Sequence, residues 1–142
     1  MDLATIIFLI LGVVCWGMGA FFDKMTLKYM DPASAFYLRT LVMLALFIPF
    51  LAWKYFPTRQ ALLNANKFAL VFVLSGAVVT MCGVFFYLKA MSGGEASRIV
   101  PLSSTYPFVT FLMVYFFLGE SFTLNKLLGT LLISGGIYFI SK

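Results

Sequence analysis

Histidine is absent from the 142 residues, and acidic groups are scarce: five Asp and Glu stand against ten Lys and Arg. Without His there is no Ser-His-Asp or Cys-His nucleophile and no His-ligated metal. Two cysteines, Cys15 and Cys82, each sit inside an apolar run and form no C-x-x-C pair. They read as small buried apolar side chains rather than as a disulfide or a metal site. No glycine-rich loop runs into Lys-Ser or Lys-Thr, so nucleotide hydrolysis has no motif. The residues give no basis for an enzyme, and no cofactor or metal is expected.

Charge is short altogether. Charged residues make up 11% of the chain and hydrophobic ones 63%, with a mean hydropathy of +1.03. A soluble domain carries about 25% charged residues. The net charge of +5 does not make the chain a nucleic-acid binder, because the basic residues stand singly between apolar runs. The composition is that of a small integral membrane protein whose first partner is the lipid bilayer.

Five apolar runs, at about residues 3–22, 32–56, 68–91, 96–118 and 124–140, are long enough to cross that bilayer. All five read as helices, because an isolated strand cannot satisfy its backbone in lipid. The expected fold is one all-α polytopic domain over residues 1–142. The first run lacks a basic leader and an A-x-A site, and Asp2 precedes it, so it reads as a retained helix. Asp31-Pro32 is an N-cap followed by proline in the first turn. Ser92-Gly93-Gly94-Glu95 has capping-box spacing before the fourth helix, and Thr123 can cap the fifth. Residues 58–66, with Ala61, Leu62 and Leu63 beside Arg59, read either as a short interfacial helix or as loop.

Five spans put the termini on opposite sides. The N-terminal side then holds Lys54, Arg59, Lys67 and Lys126, and the other side holds Lys24, Lys28, Arg39, Lys89, Arg98 and Lys142. Orientation follows the Lys/Arg imbalance between short loops. Four against six leaves two readings open: a fixed topology with the richer side in the cytoplasm, or insertion both ways.

Glycines recur seven residues apart in three spans, as Gly12/Gly19, Gly76/Gly83 and Gly129/Gly136. Each pair shares a helix face that drifts by only about 20°, and small residues let helices approach closely in lipid. The first face continues through Trp16 and Asp23, the third-span face through Thr80 and Tyr87, and the fifth is purely apolar. The polar groups suit either a partner helix or a wet cavity.

The fourth span reads Pro101-Leu-Ser-Ser-Thr-Tyr-Pro107. Proline lacks an N–H, so Pro107 cannot bond the Ser103 carbonyl. That carbonyl lies near the bilayer midplane and needs a partner in protein or water. Neighbouring hydroxyls are candidates, and the break reads as a proline kink healed by Ser and Thr or as a stretch lining a substrate path. Arg39 stands inside the second span, where a charge marks a pair or a pathway. It can also snorkel, and Asp23, Asp31 and Glu95 lie on its side as possible partners. Glu120 reads as a boundary residue near Lys126. No acidic residue lies mid-span, which argues against carboxylate-driven antiport.

The run from Ala96 to Pro107, then Leu118-Gly-Glu120, then Gly129 to Gly136, resembles the EamA repeat of the drug/metabolite transporter superfamily. Trp16-Gly17 and Arg39 match its pattern too, and the resemblance covers nearly the whole chain. Most members carry two such repeats, inverted, in a ten-helix chain. The resemblance therefore implies one half of an inverted-repeat transporter, working as an antiparallel homodimer or with an inverted partner encoded elsewhere. It implies transport of a small molecule or metabolite, mostly outward, across a prokaryotic plasma membrane. Trp16, Tyr87, Ser103, Ser104, Tyr106 and Pro107 would line the path, with Arg39 near one mouth. Two alternatives stand beside this reading: a non-transporting scaffold subunit, and a lipid-linked sugar flippase with a side opening between helices.

Overall fold

A computed structural model describes residues 3–119 and 123–141, leaving aside the side chains of Ser134, Tyr138 and Ser141. Every regular element among the described residues is helical. In chain order they are α1 (Leu3–Thr26), α2 (Pro32–Trp53), α3 (Tyr55–Asn64), α4 (Lys67–Gly93), α5 (Ala96–Ser103), α6 (Tyr106–Met113), a π-helical turn (Val114–Leu118) and α7 (Leu124–Ser141). Four helical stretches among the described residues are long and apolar enough to cross a membrane: α1, α2, α4 and the broken run Ala96–Leu118. The apolar part of α7, Leu124–Ile137, is shorter. The full 18 residues of α7 rise about 27 Å, against a hydrocarbon core of about 30 Å.

The chain divides into two compact units, Phe22–Ser92 on the one hand and Met1–Phe21 with Gly93–Lys142 on the other. In the first, α2 starts where local chemistry dictates. The Asp31 carboxylate accepts hydrogen bonds from the Ala33 and Ser34 N–H groups, both at 3.0 Å, and Pro32 fills the first turn. Hydrogen bonds from the Ser34 side chain and backbone hold the Asp31 carboxyl below its ordinary range. The small core of this unit is Ala35, Phe36, Leu88 and Met91. The Phe36 and Phe85 rings meet edge to face at 5.4 Å. The Lys24 ammonium donates to the Met91 carbonyl at 2.8 Å, placing a cation at the C-terminal end of α4.

Several boundaries differ from the sequence expectation. The second span stops at Trp53 rather than near residue 56, because Lys54 leaves the helix (φ −99°, ψ 24°) and α3 starts at once. Lys54 then stacks its ammonium 4.4 Å from the Trp53 ring centre, a pairing suited to a membrane edge. Residues 58–66 are therefore mostly helix. Ala61, Leu62 and Leu63 are consecutive, so they spread around α3 instead of lining one stripe.

The capping box expected at Ser92–Glu95 does not form. Helix α4 runs on through Gly93, so the position that would cap α5 is Glu95 itself, and it makes no side-chain cap. Ser92 instead donates to the Lys89 carbonyl at 2.8 Å, and Glu95 pairs with Arg98 at 3.4 Å. Thr123 does cap α7, accepting from Lys126 N–H at 3.4 Å.

In the second unit the fourth span is broken in two. The π turn that follows α6 ends at Gly119, whose φ of +64° is the left-handed closure that glycine supplies. Ile137 of α7 is buried. Close helix approach at the glycine pairs is not what the structure shows. A Cβ built at Gly12, Gly19, Gly76, Gly83, Gly129 or Gly136 would meet nothing within 4 Å. Lipid gives helices no hydrophobic reason to close such gaps, so these faces stay open within their own units.

Candidate functional site

The structure sorts the candidate residues into two groups, one in each unit. Arg39 and Tyr87 belong to the first. The second span was expected to bring Arg39 near Asp23, Asp31 or Glu95, and the partner is Asp23. Arg39 Nη1 donates to both Asp23 oxygens, at 2.7 and 2.6 Å. The side chains are 34% and 17% exposed, so the pair is part-shielded rather than a surface contact. Tyr87 on α4 is half-buried and feels both charges. Helix α1 extends past residue 22 to Thr26, which sets Asp23 on its last turn, within reach.

Beside this pair a cleft of about 490 Å³ opens between α2 and α4. Arg39, Thr40, Met43 and Phe47 form one wall, and Gly76 and Thr80 lie on the other. The face running Gly76, Thr80, Gly83, Tyr87 was legible as a repeated spacing, and its first two members line this cleft. Met43, Phe47 and Met81 were missed. The α2 residues Phe36, Arg39, Thr40, Met43 and Phe47 recur at i, i+3, i+4, i+7 and i+11, one helical face, but a span that is apolar all round hides such a stripe.

The second group surrounds the break. The Ser103 and Ser104 hydroxyls both donate to the Val100 carbonyl, at 2.7 and 3.0 Å. Thr105 donates to Leu102 O at 2.8 Å and Thr110 to Tyr106 O at 3.2 Å. None of these hydroxyls turns to the carbonyl of Ser103, the partner expected of them. A hydroxyl has a single proton, and each of these protons is committed to a carbonyl of the preceding turn. What the break presents outward is oxygen lone pairs, so it is a patch of hydrogen-bond acceptors. Ser103 and Ser104 are exposed.

Tyr106 and Pro107 line a separate cleft of about 290 Å³ with Thr110, Phe111, Tyr115 and Lys126. The π turn places Tyr115 there, and α7 contributes Lys126. Neither was singled out for this role from the sequence. Glu120, read as a neighbour of Lys126, lies outside the described residues. Trp16 joins neither group, lying 71% exposed on α1. Among the described residues no cluster of acidic or cysteine side chains could hold a metal ion.

The geometry is thus two apolar clefts, each with a single cation, and a broken apolar helix rich in acceptors. Both clefts lie beside helices long and apolar enough to cross a bilayer. Comparison with known proteins addresses the family. An uncharacterized protein from Methanocaldococcus jannaschii is 30% identical over 141 residues, covering 99% of this chain and 98% of its own length. No solved structure gives a significant match. The EamA-like transporter family matches residues 3–142. With nearly every residue inside that match and the apolar helices to go with it, the chain is an integral membrane protein that belongs to the EamA-like transporter family.

Proposed function

We propose that the chain is a five-helix half of a transporter, with α7 as the fifth span, and that it works as a dimer in which one copy is inverted. It moves a small organic solute or metabolite outward across a prokaryotic plasma membrane. The observation that carries this reading is the broken fourth span of a chain that matches a transporter family over residues 3–142. Breaks at mid-membrane depth are tolerated where the backbone lines a cavity or is buried in protein. A scaffold subunit has no need of one.

Three further observations support the dimer. The Lys/Arg count is nearly balanced between the two sides of a five-span chain. The glycine faces of α1 and α7 are open within their own unit, and a second copy could cover them. The archaeal relative is matched over 98% of its length, so a chain of this size recurs.

Flux in reconstituted vesicles tests the path. Tyr106→Ala, Trp16→Ala and Pro107→Ala are each expected to lower flux about tenfold or more while the protein still inserts, the rate loss that about 1.4 kcal/mol produces. Unchanged flux in all three would remove the proposed path and leave the scaffold reading.

A further inference from the structure

The α2–α4 cleft holds an asymmetry that its ion pair leaves unused. Both bonds to Asp23 come from one nitrogen of Arg39, so the guanidinium does not present its fork to that carboxylate. Among the described residues Nη2 and Nε of Arg39 make no hydrogen bond. Those two donors form a planar edge, the geometry that receives a carboxylate or phosphate through two parallel bonds. Arg39 is also the one charged residue among those lining the cleft. Asp23 does not line it, and both its oxygens are already held. The Asp23 charge offsets that of Arg39, so what the Arg39 end of the cleft offers an oxyanion is this unused pair of N–H donors.

From that end the cleft turns apolar. Arg39 to Phe47 is about 12 Å along α2, and Met43, Phe47 and Met81 supply its walls, with Gly76 leaving open space opposite. Methionine is unbranched and adapts to chains of varied shape. A cation at one end and a flexible apolar channel beyond it describe a ligand with the same two parts. We propose that this cleft binds a single-chain amphiphilic anion, its oxyanion head on the Nη2–Nε edge of Arg39 and its alkyl chain along Met43, Phe47 and Met81. The proposal rests on the transport reading, for which it names the substrate class.

The test uses the full chain in lipid vesicles and a photoreactive alkyl phosphate, with crosslinked residues mapped by mass spectrometry. Labelling is expected to concentrate at Met43, Phe47 and Met81. Dodecyl phosphate should displace it at least about tenfold better than dodecyltrimethylammonium, and inorganic phosphate should displace it poorly. Gly76→Leu puts a side chain into the open space of the cleft and should abolish cleft labelling. Asp23→Asn removes the negative charge that competes for Arg39 and should strengthen it. Arg39→Gln should weaken it, and Gly76→Leu carries the test if that variant does not insert.

Labelling spread evenly over lipid-facing helices, equal competition by the ammonium, full competition by inorganic phosphate, or labelling unmoved by Gly76→Leu would each overturn the proposal. Crosslinks from Met43 and Met81 to a second copy in place of the probe would overturn it too. The two readings fail separately. Cleft labelling with no flux of any solute supports the site and refutes transport, whereas flux without cleft labelling refutes the site and leaves transport standing.

Discussion

Asp23 and Arg39 show how a single contact decides whether a charge can live inside an apolar helix. Each compensates the other where water only partly reaches, so removing one leaves the other exposed to a poor solvent. Fully buried pairs lose about 3–5 kcal/mol on such a change and surface pairs about 0–1. At 34% and 17% exposure, Arg39→Gln or Asp23→Asn is expected to cost about 1–3 kcal/mol in unfolding assays in detergent. The double variant should recover most of it, and a double variant as unstable as the sum of the two would disprove the pairing. Asp31 makes a different residue-scale statement. Its carboxyl sits below the ordinary 3.8 because the α2 N-terminus donates to the charged form. A lowered value means the cap stabilises fully above the unfolded value and is lost as pH falls through the folded one. The pH dependence of helix unfolding below about pH 4 should therefore flatten in Asp31→Asn. An unchanged acid limb would show that the cap contributes nothing.

At the scale of the element, the fourth span is where sequence and structure agree on what matters and differ on how it is done. Pro101 and Pro107, with the hydroxyl run between them, marked a break, and the helix is indeed interrupted after Ser103. Hydroxyls and water were the candidate partners of the Ser103 carbonyl, and the hydroxyls do not take that place, since each reaches backward to its own preceding turn. Pro107→Ala restores an N–H aimed at that carbonyl. It is expected to join α5 to α6, raising backbone protection from hydrogen exchange at residues 103–107, while lowering flux. Unchanged exchange there would show that proline is not what opens the helix. Starts such as Asp31-Pro32 were legible because capping is local chemistry. The box at Ser92 failed because Ser92 lies three residues upstream of the capping position Glu95, a shift that local chemistry does not fix. The π turn after Met113 and the immediate handover from α2 to α3 at Lys54 had no local signature. The α2–α4 cleft was out of reach for a further reason. Its walls are some forty residues apart in the chain, and each wall is apolar enough to pass for lipid-facing surface.

For the whole molecule, the scarcity of core is the central fact. Among the described residues only Ala35, Phe36, Leu88, Met91 and Ile137 are buried hydrophobics, because lipid accepts the rest. The glycine pairs that looked like seams between helices are open within their own units, and in the proposed dimer those of α1 and α7 are covered by the second copy. Gly129→Leu and Gly136→Leu are expected to leave the helix intact and to shift the protein from dimer to monomer in native mass spectrometry. A dimer of unchanged abundance in both variants would place the interface elsewhere. The reading as an inverted dimer stands or falls on topology. Paired reporters, one active only inside the membrane and one only outside, fused after Lys142, measure it directly. Comparable signal from both reporters is the predicted result and establishes that the chain inserts both ways. Signal from one reporter alone would contradict the antiparallel homodimer and send the search to an inverted partner encoded elsewhere.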